Sequence, residues 1–305
     1  MRMTDRKYYD RFARHIIDTE FYAQAWEEKA KRRLERLRKK LGETLDDYGI
    51  INSRAKYERL KKEVDGEVDE EVDALTDDLK KDEEEQRENE IDWLGIILKA
   101  FIGISLVMAV MKEKKLKTQP FGKYEDLDDF GESLKEKVRK TVTVPAMSSY
   151  MFGSGLKTVS EEMDRSFDKI ERDAMSDIHL SITENQRNTQ RLLLEDKSGL
   201  EYLYVSMLDS KTCAVCGGYS GNVYKDLSEA PTLPVHHLCR CYYLPVKKGQ
   251  EYDRESYSEW FDRQPDSVKY KILGPSRYGF YKSGMKFSEF TSKGRKLSLS
   301  ELFEK

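Results

Sequence analysis

Three stretches of this chain repeat apolar residues at mostly helical intervals of three or four, and that spacing commits most of it to long helices. Over residues 5–41 the stripe is Tyr8, Phe12, Ile16, Tyr22, Trp26, Leu34, Leu37 and Leu41, and Gly42 can close the helix. Over 54–90 it is Tyr57, Leu60, Val64, Val68, Val72, Leu75 and Leu79, and over 157–195 it is Val159, Met163, Phe167, Ile170, Ala174, Ile178 and Ile182. One apolar residue per turn makes a narrow stripe, suited to one neighbour, as in a coiled coil or helical hairpin. The remaining faces are charged. Asp, Glu, Lys and Arg make up 36% of the 305 residues and apolar types 38%, against roughly 25% and 45–50% in an average globular chain. Solvated surface is therefore large relative to core. The 3 Trp, 18 Tyr and 12 Phe still need burial, which excludes a wholly disordered chain.

The net charge of −3 hides a split. Residues 61–90 carry 15 acids and 5 bases, while Lys29–Lys40 on the first helix carries eight bases. That basic run reads either as a solvated helix face or as a contact for nucleic acid or an acidic partner. Composition alone assigns no nucleic-acid binding. The acidic end of the second stretch, DEEEQRENE, reads as an exposed helix end or linker.

Residues 91–111 differ sharply from their surroundings. Between Leu94 and Val110 only Lys99 and Ser105 are polar. A membrane span needs about 20 apolar residues, and a mid-span Lys costs roughly 2.5–3.5 kcal/mol. The expectation is a helix at 92–111 buried in the protein or an oligomer, with any membrane contact through 94–110 transient. Residues 112–153 look mixed, punctuated by Pro120, Gly122, Pro145 and Gly153, and a loose boundary is placed there. His179 lies beside an apolar stripe and is assigned no role.

After Gly199 the period changes to two. Leu200, Tyr202, Tyr204 and Ser206 read as a strand, with Val223-Tyr224 and Tyr242–Val246 as candidate partners. All four cysteines lie here, in the pattern Cys213-x2-Cys216-x19-His236-x2-Cys239-x-Cys241. With no secretory signal and no scattered pairs, a reducing compartment is expected. Gly217 and Gly218 would let the first pair turn tightly by accepting positive φ. Five candidates then stand for the four places of a closed tetrahedral zinc site. Cys213 and Cys216 are the firmest, His236 and Cys239 mirror them, and Cys241 could substitute for Cys239; His237 is the weaker histidine. Two disulfides fit the compartment poorly. A redox pair lacks its βαβ context, no thiol is singled out as a nucleophile, and the deaminase pattern is absent. Structural zinc is the favoured reading.

The order Asp209-x-Lys211-Thr212-Cys213-x-x-Cys216, Gly221, Pro234-x-His236-x-x-Cys239-Arg240-Cys241, Pro245-Val246 resembles the signature of the phage Mu F-like head morphogenesis family, minor head proteins of tailed bacteriophages. The family usually has a proline where His237 stands. Thr183-Glu184 matches an element that the family places upstream of the first cysteine pair. Tyr257-x-x-Trp260-Phe261-x-x-Gln264-Pro265, then Ile272-Leu273-Gly274-Pro275-x-Arg277-Tyr278, Gly284 and Phe287 resemble its C-terminal extension. The resemblance covers about residues 140–305.

The resemblance implies a non-enzymatic virion component with no catalytic or cofactor-binding residues. It would be present in few copies at the head and portal vertex, after assembly in the host cytoplasm. Expected partners are the portal protein, other capsid or scaffold proteins and, non-specifically, packaged DNA, with Lys29–Lys40 as the candidate phosphate contact. The alternative is a zinc-stabilised, nuclease-like nucleic-acid-processing enzyme, although His15 and His179 stand alone in sequence. The expected fold is mainly α: long N-terminal helices, a small zinc-stabilised α+β module and a helical C-terminal tail. The expected domains are a charged helical region at 1–140, the head morphogenesis domain at 141–248 and the extension at 249–305.

Overall fold

A computed structural model of the chain describes residues 3–106, 116, 120–153, 156–195, 197–236, 238–250, 255–292 and 295–304. The protein is mainly helical, with a small antiparallel sheet toward its C-terminus. Contacts divide it into two compact units, one of residues 21–89 and 113–185, the other of residues 1–20, 90–112 and 186–305.

The first unit is a helical bundle. It contains most of α1 (Met3–Tyr48), α2 (Arg54–Ile97) and α4 (Leu156–Leu194), together with all of α3 (Leu127–Phe152). The narrow stripes do the packing, since Leu34, Leu37, Val64, Val68, Val138, Val142, Phe167 and Ile178 are at most 1% exposed in one continuous core. Helix α1 passes through Gly42 rather than ending there, because the stripe continues to the buried Leu45. A glycine inside a helix costs only about 1 kcal/mol, less than burying one such leucine contributes. Helix α3 lies where a mixed region is expected. Asp126 caps it by accepting from the Asp129 N–H at 2.9 Å, and Phe130, Leu134, Val138, Val142 and Ala146 bury its inner face. Pro145 sits inside this helix, where it removes one ladder donor without ending the stripe.

The basic run on α1 faces acids. Arg33 Nη2 lies 2.5 Å from Asp78, Lys40 Nζ 2.8 Å from Glu71, and Lys29 Nζ 3.2 Å from Asp78. Arg38 reaches Asp164 and Asp168 on α4, each at 2.7 Å. The opposed charges noted in the sequence are largely spent on one another. His179 is buried and bonded to Glu27 in the same unit.

In the second unit the apolar segment is not one helix. Helix α2 ends at Ile97, five residues follow in π geometry (Leu98–Ile102), and Gly103 closes the turn in the left-handed region with φ 73°. Leu94, Ile97, Leu98 and Ile102 are buried, whereas Ile96, Lys99 and Ala100 are exposed. The segment is therefore two-faced, and Lys99 lies on its outer side. Residues 107–111 of the expected helix lie outside the described residues. Among the described residues no helix is long and apolar enough to cross a membrane. Nearby, His15 Nε2 meets the buried Glu90 at 2.6 Å, Gln190 donates to the same carboxylate at 2.8 Å, and Trp93 stacks on the imidazole.

The sheet of this unit runs β2–β1–β3, all antiparallel, with β1 Leu200–Val205, β2 Val223–Tyr224 and β3 Tyr242–Lys247. Its register pairs Leu203 with both Val223 and Leu244. The N-terminal end of α1 packs on β3, with the Tyr8 hydroxyl donating to the Pro245 carbonyl at 2.8 Å and Phe12 stacking on Tyr242. The C-terminal residues build a second core, in which Ala214 meets Tyr257, Phe261, Phe287 and Phe290. Its helices are α6 (Tyr257–Asp262), α7 (Asp266–Lys282, kinked at Gly274) and α8 (Leu299–Phe303), with a two-stranded ribbon, β4 (Thr291–Ser292) and β5 (Arg295–Lys296).

Candidate metal centre

The first cysteine pair opens a helix rather than a turn. Helix α5 (Ala214–Tyr219) begins immediately after Cys213, whose sulfur accepts the Cys216 N–H at 3.4 Å and so serves as the N-cap. Cys216 follows on the first turn, pointing inward. Gly217 and Gly218 are not at positive φ, and the reason for glycine there is contact. A Cβ on Gly217 would stand 2.9 Å from Phe287 and still closer to Tyr257, and one on Gly218 would strike the Thr291 hydroxyl.

The other donors come from the loop between β2 and β3. A tight turn, closed by the Cys239 N–H on the His236 carbonyl at 3.1 Å, carries His236 and Cys239 to the first pair. Leu238 inside that turn has φ 58°, which strains a residue bearing a Cβ. His236 Nε2 lies 3.1 Å from the sulfurs of both Cys213 and Cys216, and the Cys216 and Cys239 sulfurs are 3.7 Å apart. All four cysteines are free thiols, far from the ~2.05 Å of a disulfide.

These residues fit a metal ion. Two donor triads, Cys213–Cys216–His236 and Cys216–Cys239–Cys241, each lie within 4.8 Å and share Cys216. Metal–sulfur bonds of about 2.3 Å in a tetrahedron set sulfurs about 3.8 Å apart, close to the 3.7 Å between Cys216 and Cys239. The thiol acidities point the same way. Hydrogen bonding from Cys216, against the opposing effect of burial, draws Cys213 down to about 5. Hydrogen bonds from Cys216 and Cys241 lower Cys239 as well, while Cys216 is raised by bonding to its neighbours and Cys241 by full burial. Packed thiols that cannot all ionise together are the donor set a bound dication relieves. The five candidate residues of the sequence, Cys213, Cys216, His236, Cys239 and Cys241, are the members of these two triads. His237 lies outside the described residues.

Several supporting groups carry no sequence motif. Arg187, 4% exposed on α4, donates through Nε to the Cys241 carbonyl at 3.1 Å and through Nη2 to the Cys239 carbonyl, with Glu20 at 3.5 Å. It straps the second cysteine pair from behind. Tyr204 of β1 stands beside Cys241 with its hydroxyl buried. Arg240 points away from the thiols and forks onto Asp209 at 2.6 and 2.7 Å. Asp209 in turn accepts the N–H groups of Lys211 and Thr212 at 2.9 and 3.1 Å, closing the turn into Cys213. Tyr257 donates to the Asp209 and Thr212 carbonyls. One signal for Arg187 was available: the α4 stripe stops at Ile182 and resumes at Leu193, yet Thr183, Asn185, Gln186, Thr189 and Gln190 between them are also buried. Buried polar side chains on a helix must meet polar partners. Thr183 bonds back to carbonyls of its own helix.

No family model, no curated protein and no solved structure matches the chain.

Proposed function

We propose that this chain is a minor head protein of a tailed bacteriophage, acting without catalysis at or near the portal vertex in head assembly and DNA delivery. The observation that carries the reading is the cluster itself. The residues on which the family resemblance rests, Asp209, Cys213, Cys216, His236, Cys239, Arg240 and Cys241, converge on one small site although spread over 33 positions. The metal of this reading is zinc, since three buried thiolates with Cys213 and the exposed imidazole of His236 at the rim offer the soft S and N donors it prefers. Its role is structural: a three-stranded sheet with a short helix is small, and metal binding adds directly to its folding free energy. In a virion the portal and neighbouring head proteins are the expected partners. The charged first unit presents many polar faces to them.

The test is made on particles. The protein should be found by mass spectrometry in purified virions of the phage encoding it, in few copies, and should co-purify with the portal protein when the two are co-expressed. Absence from particles together with no portal association would sink the reading. Zinc is tested separately by metal analysis of the purified protein, where about one ion per chain is expected. A metal-free protein with disulfides among the four cysteines would overturn the zinc site without touching the virion reading.

A further inference from the structure

Two basic clusters stand out in the sequence, and only one is met for the most part by acids. The Lys29–Lys40 run is tied to Asp78, Glu71, Asp164 and Asp168. The other lies in residues 266–296, which carry eight Lys and Arg against two acids in a chain whose net charge is −3. Among the described residues of this segment, Lys271, Arg277, Lys286 and Lys296 have no carboxylate partner, and only Lys282 and Arg295 are paired, with Asp266 and Glu301. Arg277 donates to the Leu297 carbonyl at 2.6 Å, leaving its Nε unpartnered. The bond from Arg277 to the Leu297 carbonyl places this guanidinium beside Lys296, the preceding residue, so two cations lie close together.

Aromatic rings are interleaved with these cations. Tyr270 is 48% exposed and meets Tyr278 edge-to-face at 5.5 Å, and Tyr278 lies nearly parallel to Tyr281 at 6.5 Å. Lys269 sits over the Tyr281 ring at 5.2 Å. The kink at Gly274, with φ 74°, redirects α7 between Tyr270 and Tyr278. Crowded cations raise the energy of the free surface, and an anion binding there lowers it. The exposed Tyr270 ring, with the half-buried Tyr278 against it, offers a flat face to planar bases, which is how proteins hold single-stranded nucleic acid without reading its sequence.

We infer that the surface of α7 and β5, through Lys271, Arg277, Lys296 and the Tyr270–Tyr278 pair, binds single-stranded nucleic acid by its phosphates and bases. This inference stands on charge and ring geometry, so it holds whether or not the chain is a head protein.

The full-length protein is titrated with fluorescein-labelled oligothymidylate and with a labelled duplex of the same length, by anisotropy over a series of salt concentrations. Expected is salt-sensitive binding, tighter for the single strand. The triple variant Lys271→Gln/Arg277→Gln/Lys296→Gln should flatten the slope of log K against log salt by about two, at ~0.7 per phosphate contact on a single strand. Tyr270→Ala should weaken the single strand about tenfold and leave the duplex and the slope nearly unchanged. The control Arg33→Gln/Lys40→Gln should change neither. Equal circular dichroism melts for all variants exclude misfolding as the cause. A slope lost in the control but kept in the triple variant overturns the assignment. So does binding to vesicles of anionic phospholipid with none to either oligonucleotide.

Discussion

Arg187 is the residue on which the second cysteine pair most depends. Its guanidinium satisfies the carbonyls of Cys239 and Cys241 where water has little access. Arg187→Met would leave both carbonyls unpaired, a cost on the order of 2–4 kcal/mol. Groups that orient ligands from behind typically govern affinity by 10–100-fold. Chelator competition should therefore show metal held at least tenfold more weakly, and unchanged competition would reduce Arg187 to packing. Asp209 gives a pH signature at the same scale. Burial raises its carboxyl pKa, but the Arg240 fork and the Lys211 and Thr212 N–H groups more than reverse that, so it lies below the ordinary value in the folded protein. A depressed folded pKa contributes stability above the unfolded value of about 3.9 and loses it as pH falls through the folded one. Acid unfolding of Asp209→Asn should lack this component below about pH 4. The side chain is 41% exposed, so the component is modest. Midpoints that shift in parallel for both proteins across that range would refute it. The five cluster residues were legible because residues able to ligate a metal come in fixed chemical types at short spacings. Arg187 was not, because an arginine inside a polar helical run looks like surface until the fold places carbonyls around it.

At the scale of elements, the long helices were readable and their ends were not. The stripes of α1, α2 and α4 survive, except that Tyr22 is half-buried and Ala23 and Ala30 fill the gaps of α1, because burial follows the 3.6-residue period whatever interrupts the solvent face. Gly42 and Pro145 were read as boundaries since each weakens a helix locally, and in both places the flanking Leu41 and Leu45, or Val142 and Ala146, outweigh that cost. The apolar segment erred the other way. Its composition suggested a uniformly buried helix, but the π turn at Leu98–Ile102 and the left-handed Gly103 end the regular helix. Helix α5 gives the sharpest element-level prediction. Gly217→Ala drives a methyl group into Tyr257 and Phe287, and overpacking of that kind costs about 1–3 kcal/mol. A urea midpoint unchanged by this substitution would mean that the C-terminal aromatic core yields more easily than its packing implies.

For the whole molecule, the two units rest on different physics. Unit one is held by a largely aliphatic core, with Trp26, Phe130 and Phe167 among it, under a lattice of ion pairs, most of them partly exposed and each worth about 0–1 kcal/mol. Unit two gathers its sheet and short helix around the thiol cluster. Chelation should therefore act locally. Hydrogen exchange after EDTA treatment should show faster exchange over residues 200–246, with the amides of 57–79 still protected. Equal loss of protection in both segments, or none in either, would contradict a metal that folds one module. The sequence divides less cleanly than the contacts do, because α1, α2 and α4 each contribute residues to both units.

The two glycines after Cys216 carry a consequence for how such a chain can be recombined. Their missing side chains form a hollow, and Tyr257, Phe287 and Thr291, forty or more positions downstream, fill it. The cysteine helix and the tail are thus complementary moulds cast from distant parts of one gene. A crossover near residue 250 that joined this cysteine module to a foreign tail would bring in the wrong filling. A smaller tail would leave a void against α5, and a bulkier one could not close. Productive exchange between related genes would have to carry residues 213–303 together, so the cysteine module and its aromatic tail travel as one cassette.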